Sequence, residues 1–187
     1  NLAARPCVPR HTIIDPAPAL TPVEVDEYPC AHLAGIALRC GFALLRNGRK
    51  AHAYEGDILF THTGLSGPGI LDASRYMLPG DTITLNAAGF DDEAACDADL
   101  AARFAAQGKR TAKSIITHYG LPERLCLHLL AHSAIAPDAL CATIDRAKRK
   151  SLARALTALP FVIASLGDER IAMVTRGGAN RAEVNPK

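Results

Sequence analysis

The hydrophobic pattern of the chain changes twice, and this constrains the fold more than any other feature of the sequence. Up to residue 90, short stretches alternate apolar residues with smaller or polar ones, as strands do. From residue 91 to 159 apolar residues recur at helical spacing, and from residue 160 the strand pattern returns. We therefore predict an α+β fold. A small β-barrel-like subdomain would comprise residues 1–90 and 160–187, with an all-α subdomain, residues 91–159, inserted between them.

Turn residues place the strands of the barrel-like part. Asn47-Gly48 predicts a two-residue type I′ hairpin, since both residues tolerate positive φ. We expect its return strand over residues 51–54 and a separate strand over residues 57–61. Prolines recur through the first 30 residues and exclude a helix there. Only short edge strands are therefore expected in that region, at residues 12–14 and 23–25.

Capping residues divide the middle of the chain into helices. Asp91 is expected to cap the first helix and Asp145 the last, because a carboxylate can accept from the free N–H groups of the first turn. Pro122 and Pro137 each stand where a helix can begin, since proline suits the first helical turn. Gly120 is expected to end the helix that precedes Pro122.

The Gly-rich segment from Thr61 to Gly69 is the strongest candidate for a functional site. It joins an expected strand to a helix that we expect to begin at Pro68. A serine-hydrolase nucleophile elbow would require glycine at position 68, and the glycines also have the wrong spacing for a dinucleotide-binding loop. Two interpretations remain. One is a strand-to-helix reversal in which glycine supplies unusual φ and ψ. The other is a helix start whose backbone N–H groups receive a carbonyl or an anion.

The remaining candidates for metal or nucleic-acid binding are weaker. His128 and His132 are four residues apart, but both fall outside the apolar arc of their expected helix, and no third ligand accompanies them. We predict a solvated pair and no metal site. The basic cluster between Arg146 and Arg154 spreads around its helix without interleaved aromatic residues. That pattern favours a solvated helix start over nucleic-acid binding, and a net charge of +2 gives no further reason to expect a nucleic-acid partner.

The cysteines and the hydropathy of the chain bear on its compartment. Six cysteines are scattered along the sequence without a C-x-x-C pair. We expect reduced, buried thiols in a cytoplasmic protein. No signal-peptide pattern and no apolar run of membrane-spanning length is present in the sequence, so a membrane partner is not expected.

Three segments resemble the BaiN/YhiN-type family of FAD-dependent flavoprotein oxidoreductases. Residues 55–68, EGDILFTHTGLSGP, resemble that family's E-G-E-[LI]-L-F-T-H-T-G-L-S-G-P run. Residues 174–179, VTRGGA, followed by EVNPK at 183–187, resemble its V-T-x-G-G-V and E-V-N-P-K. A shorter match is PAPALTP at residues 16–22. The chain departs from the family at Arg176, where a small residue is common.

The resemblance implies a discontinuous FAD-binding Rossmann domain that is interrupted by an insert made of a small β-barrel and a helical subdomain. This chain would be the insert alone, so FAD is not expected to bind it, and the isolated chain is expected to be inactive. Its expected partners are the flanking Rossmann domain of the same polypeptide, a small-molecule substrate and NAD(P)H. The alternative is a stand-alone protein- or nucleic-acid-binding module without catalysis, for which salt-dependent nucleic-acid binding would be evidence.

Two parts of the insert are expected to lie nearest to the isoalloxazine ring or the substrate, because Gly-rich loops allow close backbone approach to a ligand. The expected cofactor-binding residues are Thr61, Thr63, Gly64, Ser66, Gly67, Gly177 and Gly178. The last two are expected to form a turn. His62 is the candidate catalytic residue, as a proton donor near neutral pH. The alternative for His62 is a structural role, in which it satisfies backbone groups at the strand end.

Overall fold

A computed structural model describes residues 11–167 and 172–183 of the chain. Its strands are β1 (Ile13–Ala19), β2 (Val23–Val25), β3 (Ala37–Arg46), β4 (Arg49–Phe60), β5 (Gly64–Ser66), β6 (Thr82–Asn86), β7 (Leu159–Leu166) and β8 (Val174–Ala179). Its α-helices are α1 (Pro68–Ala73), α2 (Glu93–Ala106), α3 (Ala112–Ile116), α4 (Glu123–His132) and α5 (Arg146–Ala158). The predicted α+β class is confirmed. None of these helices is long and apolar enough to cross a bilayer.

Six strands close into a barrel in the order β2-β5-β4-β3-β6-β7, and every neighbouring pair is antiparallel. Closure leaves no unpaired sheet edge, which removes the usual site of strand-to-strand aggregation. The barrel is filled by apolar side chains that are at most 2% exposed, among them Leu44, Ile58, Phe60, Leu65, Ile83 and Phe161. Aliphatic and aromatic burial therefore stabilises the barrel.

The predicted hairpin is confirmed, and its second strand is longer than expected. Asn47 and Gly48 have φ values of 51° and 72°, as a type I′ turn requires. Residues 51–54 and 57–60 are strand as predicted, but the expected break between them is wrong, because β4 runs unbroken from Arg49 to Phe60. Gly56 does not interrupt it. The residue pairs with Cys40 and lets α1 approach, since a Cβ at position 56 would lie 3.0 Å from the Cα of Gly69.

The helices α2 to α5 lie between β6 and β7 in the chain, and two of their predicted boundaries need correction. Asp92, not Asp91, caps α2 by accepting from the N–H of Ala95 at 2.7 Å, whereas Asp145 caps α5 as predicted. Pro137 does not begin a helix. The segment after it pairs with the start of α3, where the Ala112 N–H donates to the Ala139 carbonyl at 3.0 Å. The segment holds a turn, closed by the Ala139 N–H on the Ala136 carbonyl, and then a short 3-10 helix at Cys141–Thr143, but no α-helix.

One continuous core joins the barrel and the helices, so the two parts pack as a single body. Leu85 of the barrel belongs to the same buried cluster as Leu100 of α2, Leu129 of α4 and Leu152 of α5. The thiols share this burial, as predicted for the five cysteines in the described residues. These are Cys30, Cys40, Cys96, Cys126 and Cys141. Burial raises the pKa of the Cys30, Cys40 and Cys96 thiols to about 12, which makes them unreactive at neutral pH.

The strands β1 and β8 form a separate two-stranded antiparallel sheet outside the barrel, which we call the ribbon. Its register runs from Ile13 opposite Ala179 to Ala19 opposite Val174. The turn expected at Gly177-Gly178 is wrong, because both glycines lie inside β8 with φ values of 99° and 100°. β1 passes very close to them. A Cβ at position 177 would lie 2.6 Å from the carbonyl oxygen of Asp15, so the ribbon requires glycine there.

Candidate functional surface

The segment from Thr61 to Gly67 is tied into the barrel and is not a free loop. Thr61 and Gly64 close a tight turn, in which the Thr61 N–H donates to the Gly64 carbonyl at 3.0 Å. The Gly64 N–H donates back to the Thr61 hydroxyl at the same distance. Gly64 and Ser66 then belong to β5, which pairs with β2 and β4. This part of the predicted turn is therefore a strand.

The glycines of this segment are required by close contacts within the protein. A Cβ at position 64 would lie 2.1 Å from the carbonyl oxygen of Val23 in β2. Gly67 has a φ of 93°, and a Cβ there would lie 2.8 Å from the Asp57 carbonyl oxygen. Of the two interpretations of the segment, the contacts support the strand-to-helix reversal, in which Gly67 precedes Pro68 at the start of α1. The closeness of these backbones explains both glycines without a ligand.

The polar side chains of the same segment are more open to solvent. His62 and Thr63 are exposed, whereas Thr61 and Ser66 are half-buried. The Thr63 carbonyl accepts from the Val25 N–H at 3.0 Å, and this bond holds the backbone of the turn in place. The ring of His62 makes no hydrogen bond to the residues that the structure describes. His62 therefore does not satisfy backbone groups there, and a catalytic role for it stays a prediction.

A second candidate lies where the ribbon meets the β3–β4 hairpin. A cleft of about 660 Å³ opens there, which we call the ribbon cleft. It is lined by Ile14, Asp15, Ala17, Arg46, His52, Arg75, Tyr76, Leu78, Arg176, Gly177, Ala179 and Asn180. Its volume falls in the range of small-molecule sites. Gly177 lines this cleft, so one of the predicted cofactor-binding residues does face a cavity.

Two arginines hold the walls of the ribbon cleft together. Arg46 binds Asp81 through Nε and one terminal nitrogen, at 2.9 and 2.7 Å, and donates to the Tyr76 carbonyl at 2.8 Å. Asp81 is only 4% exposed, and its hydrogen bonds from Arg46 hold the pKa of its carboxyl below the ordinary value. From the ribbon, Arg176 donates to the carbonyls of Arg75 and Met77. The ribbon is thus anchored by a residue at which the sequence departs from the family it resembles.

Aromatic rings form one side of the ribbon cleft. The rings of His52 and Tyr76 lie 4.6 Å apart between centroids, at an interplanar angle of 34°. The Arg75 guanidinium lies 5.2 Å from the centroid of the Tyr76 ring. Behind them, the Tyr54 ring stacks on Phe42 at 5.3 Å. The cleft therefore combines flat rings with cationic side chains.

Comparison with known proteins identifies the family. Residues 17–174 match the model of a family described as "HI0933-like protein barrel and H2TH domain". The matched range contains the whole closed barrel and all five α-helices. The chain belongs to the HI0933-like family. This family is of the FAD-dependent oxidoreductase kind, which supports the resemblance described above at the family level.

One relative with a stated activity is the ribosomal RNA dihydrouridine synthase of Haemophilus influenzae, strain Rd. The HI0933-like domain is 25% identical to it over 178 residues, which cover 94% of the chain and 42% of the relative. The chain therefore spans about two-fifths of the length of this relative.

The described part of the HI0933-like domain does not fit FAD by itself. Every strand pair in it is antiparallel, so the parallel βαβ unit that presents a pyrophosphate-binding loop is not among these residues. The space beside Gly64 and Gly67 is occupied by the backbones of β2 and β4. Approach of this segment to a flavin held by another domain stays a prediction.

The structure divides the predicted site residues into two groups. Residues 61–67 follow β4 at its Phe60 end, whereas Gly177 lines the ribbon cleft with His52, close to the Arg49 end of the same strand. Sequence reasoning missed His52, Tyr76 and Arg46 as members of a site. The available signal was the confirmed hairpin, which places His52 beside its tip. Nothing local in the sequence brings Tyr76 or the ribbon to that position.

The predicted solvated histidine pair is half wrong. His132 is exposed, but His128 is half-buried, and its Nε2 lies 3.3 Å from the Sγ of Cys30. Burial, together with the neighbouring His32 and His132, lowers the pKa of His128. The helical pattern of α4 could not show this, because the covering residues belong to the turn at Ala31–Leu33. No group of three or more His, Cys, Asp or Glu side chains in the described part of the chain is arranged to hold a metal ion.

The basic cluster at the start of α5 is partly neutralised by α2. Arg149 binds Asp97 at 2.7 Å, and Arg154 binds Glu93 at 3.0 Å. Arg154 and Glu93 are exposed, so their pair contributes at most about 1 kcal/mol, whereas Arg149 and Asp97 are only 21% and 17% exposed. Both pairs link α5 to α2 and reduce the free positive charge of the cluster.

Proposed function

We propose that this chain is the accessory barrel-and-helix domain of an FAD-dependent oxidoreductase and that the ribbon connects it to a flavin-binding Rossmann domain of the same polypeptide. The ribbon is the observation that carries the proposal. The Asn180 N–H donates to the Thr12 carbonyl at 2.9 Å, and the Thr12 N–H donates to the Glu183 carboxylate at 2.7 Å. The two ends of the described chain thus leave side by side. An insert that is attached to another domain at one place requires this geometry.

The ribbon also carries apolar side chains that this domain leaves uncovered. Ile13 and Ile14 are 50% and 54% exposed, and Met173 and Val174 are 72% and 47% exposed. Exposed apolar side chains thus lie at both ends of the ribbon, and such exposure is typical of an interaction surface. A flanking domain of the same polypeptide would cover it without an additional association step.

In this proposal the flavin, bound by the flanking domain, supplies the redox chemistry, and the residues of this chain orient the substrate and exclude water. His62, which is exposed beside the Gly64 turn, is proposed as a proton donor at the flavin-facing surface. The other residues of its segment, from Thr61 to Gly67, would set the position of its backbone.

Flavin content tests the proposed domain organisation. The 187-residue chain and the complete protein that contains it would be purified and titrated with FAD, with flavin fluorescence as the measurement. We expect the isolated chain to fold without binding FAD and the complete protein to retain it. Saturable FAD binding to the isolated chain at micromolar affinity would contradict the proposal. So would a complete protein that folds without FAD and does not bind it when FAD is added.

His62→Ala in the complete protein tests the proposed proton donor. We expect normal melting and flavin content, with substrate turnover lowered by roughly 10²-fold or more. A structural role would instead lower the free energy of unfolding by about 1–3 kcal/mol and leave turnover per folded molecule unchanged. His118→Ala, at an exposed histidine that follows α3, is the matched control and should retain turnover.

The substrate class has two candidates. The resemblance implies a small molecule that is reduced with NAD(P)H, without nucleic acid. The similarity to a ribosomal RNA dihydrouridine synthase favours a second candidate, the reduction of uridine in ribosomal RNA. Ribosomal RNA from cells that lack the complete protein would be compared with wild-type RNA for dihydrouridine. Loss of a dihydrouridine that His62→Ala also fails to restore would favour the RNA substrate, and unchanged RNA would favour the small molecule.

A further inference from the structure

We propose that the ribbon cleft binds an unpaired nucleotide of an RNA strand, with the base on the His52–Tyr76 rings and its phosphate toward Arg176. The inference rests on the proposed function only in its choice of RNA as the nucleic acid. The cleft itself follows from the geometry of the described residues. The ligand is recognised by two features, a flat base and an adjacent anionic phosphate.

The aromatic side of the cleft is suited to base stacking. Tyr76 is 42% exposed and His52 is exposed, yet their rings stay in contact at 4.6 Å. Rings that a core requires are buried, whereas these two rings lie open to solvent at the cleft wall. Exposed rings stack on bases without regard to sequence, because every base has a flat π face. The Arg75 guanidinium beside the Tyr76 ring adds a cation to the same platform.

The charged side of the cleft favours an anion. Three arginines line it together with one acidic residue, Asp15. Arg46 is matched by Asp81, and Arg75 binds Asp72 at 2.9 Å. Arg176 donates only to main-chain carbonyls among the described residues, so no carboxylate in that part of the chain neutralises its charge. A guanidinium of this kind can bind phosphate oxygens without first breaking an ion pair.

Positive charge continues beyond the cleft, which favours a strand over a free dinucleotide. Arg49 and Lys50 are exposed at the tip of the hairpin, just before His52 in β4. A nucleotide that occupies the cleft would therefore have cations available to its neighbour along the backbone. The rings can receive only a base that is not paired, which excludes duplex RNA as the ligand of this site.

Binding of a short fluorescent oligouridylate to the 187-residue chain tests the proposal. Anisotropy would be measured at low salt for the wild type, Tyr76→Ala, His52→Ala and Arg176→Gln. We expect Tyr76→Ala to weaken binding by roughly tenfold or more, as loss of one stacking platform does. Tyr76→Phe, which keeps the ring, should bind like the wild type. Lys148→Ala, which removes an exposed cation of α5 outside the cleft, should change the affinity by less than about threefold.

Further measurements keep the result decisive. Since Tyr76 also packs on the hairpin, each variant would be melted first. If Tyr76→Ala does not fold, then His52→Ala with Arg176→Gln replaces it. Ultraviolet cross-linking with a 4-thiouridine oligonucleotide should label the peptide that contains Tyr76. Equal affinity for duplex RNA, binding that no cleft variant weakens, or cleft-dependent binding of NADPH without RNA binding would each overturn the proposal. None of these outcomes bears on FAD content, so the proposed domain organisation is tested separately.

Discussion

The closed barrel and the ribbon are both antiparallel β-structure, yet they differ in what stabilises them. The barrel pairs every strand on both sides and buries its apolar side chains, with Leu44, Ile58 and Ile83 fully inaccessible. The ribbon has two strands and leaves Ile13, Ile14 and Val174 about half exposed. A two-stranded sheet is at best marginally stable alone. The barrel is therefore complete in itself, whereas the ribbon has the features of a surface that a partner covers.

The largest loss of stability is expected from a substitution where the barrel strands are closest. Gly64→Val places a Cβ 2.1 Å from the Val23 carbonyl oxygen, a distance that only movement of β2 away from β5 could relieve. We expect the free energy of unfolding to fall by about 4 kcal/mol or more, measured by urea denaturation. Gly41→Ala is the matched control, because its Cβ would meet only ordinary contacts at 3.9 Å. A loss below about 1 kcal/mol in Gly64→Val would show that the barrel is less tightly packed than described.

A smaller loss of stability is expected when the Arg46–Asp81 ion pair beside the ribbon cleft is removed. Asp81→Ala leaves Arg46 and the Leu78 N–H without their acceptor. We expect a loss of about 2 kcal/mol, below the value for a fully buried pair, because Arg46 is partly exposed to solvent. The control is Glu55→Gln, whose ion pair with Arg39 is exposed on both sides and should change stability by less than about 0.5 kcal/mol.

The Arg46–Asp81 ion pair should also make the stability of the protein depend on pH in acidic solution. The pKa of Asp81 is lowered in the folded protein, so its contribution to stability is present above its ordinary pKa and is lost as pH falls through the folded value. The stability of the wild type should therefore decrease more steeply than that of Asp81→Ala below about pH 4. If the stability of the two proteins fell equally steeply as pH decreased, the predicted contribution of the ion pair would be contradicted.

The contribution of His128 to the pH dependence of stability tests whether the helices and the barrel form one body. Its pKa is lowered by burial against Cys30, so the folded protein favours the neutral ring. Stability should be unaffected at pH 8 and should fall as pH decreases through the ordinary histidine pKa of about 6.5, because the unfolded chain takes up the proton first. His128→Gln should flatten this fall when denaturation is measured at pH 8 and pH 5.5. An equally steep fall in the variant would assign the effect to other groups.

The smallest loss of stability is expected from a substitution in the ribbon. Ile14→Ser removes an apolar side chain that is already 54% exposed, so the isolated chain should lose less than about 0.5 kcal/mol. Ile58→Ser, inside the barrel, is the contrasting variant and should be strongly destabilising. If thermal melting shows equal losses in the two variants, the difference between the barrel and the ribbon is not real.

Much of this fold could be predicted because its signals are local. Asn47-Gly48 fixes its hairpin through backbone preferences of two adjacent residues, and Asp145 caps α5 through a bond to a residue three positions away. Errors arose where a distant segment decided the local conformation. Gly177-Gly178 looks like a turn, but β1, about 160 residues earlier in the chain, pairs with it and makes it a strand.

The candidate site was harder to predict for the same reason. The segment around His62 could be identified from its sequence, but the reason for its glycines depends on how closely β2 and β4 approach. The ribbon cleft combines His52, Tyr76 and Arg176 from three elements that lie far apart in the sequence. Likewise, the burial of His128 depends on Cys30, which is 98 residues away. Periodicity within one element carries no information on such contacts.

Oxidation of the two methionines tests most directly whether the ribbon is covered by a partner domain. Met173 is 72% exposed beside the ribbon, and Met77 is fully buried and serves as the internal control. The isolated chain and the complete FAD-containing protein would be treated with dilute peroxide, and sulfoxide at each methionine would be followed by mass spectrometry. We expect Met173 to oxidise rapidly in the isolated chain and slowly in the complete protein, with Met77 protected in both. Equally rapid oxidation of Met173 in both proteins would contradict attachment through the ribbon.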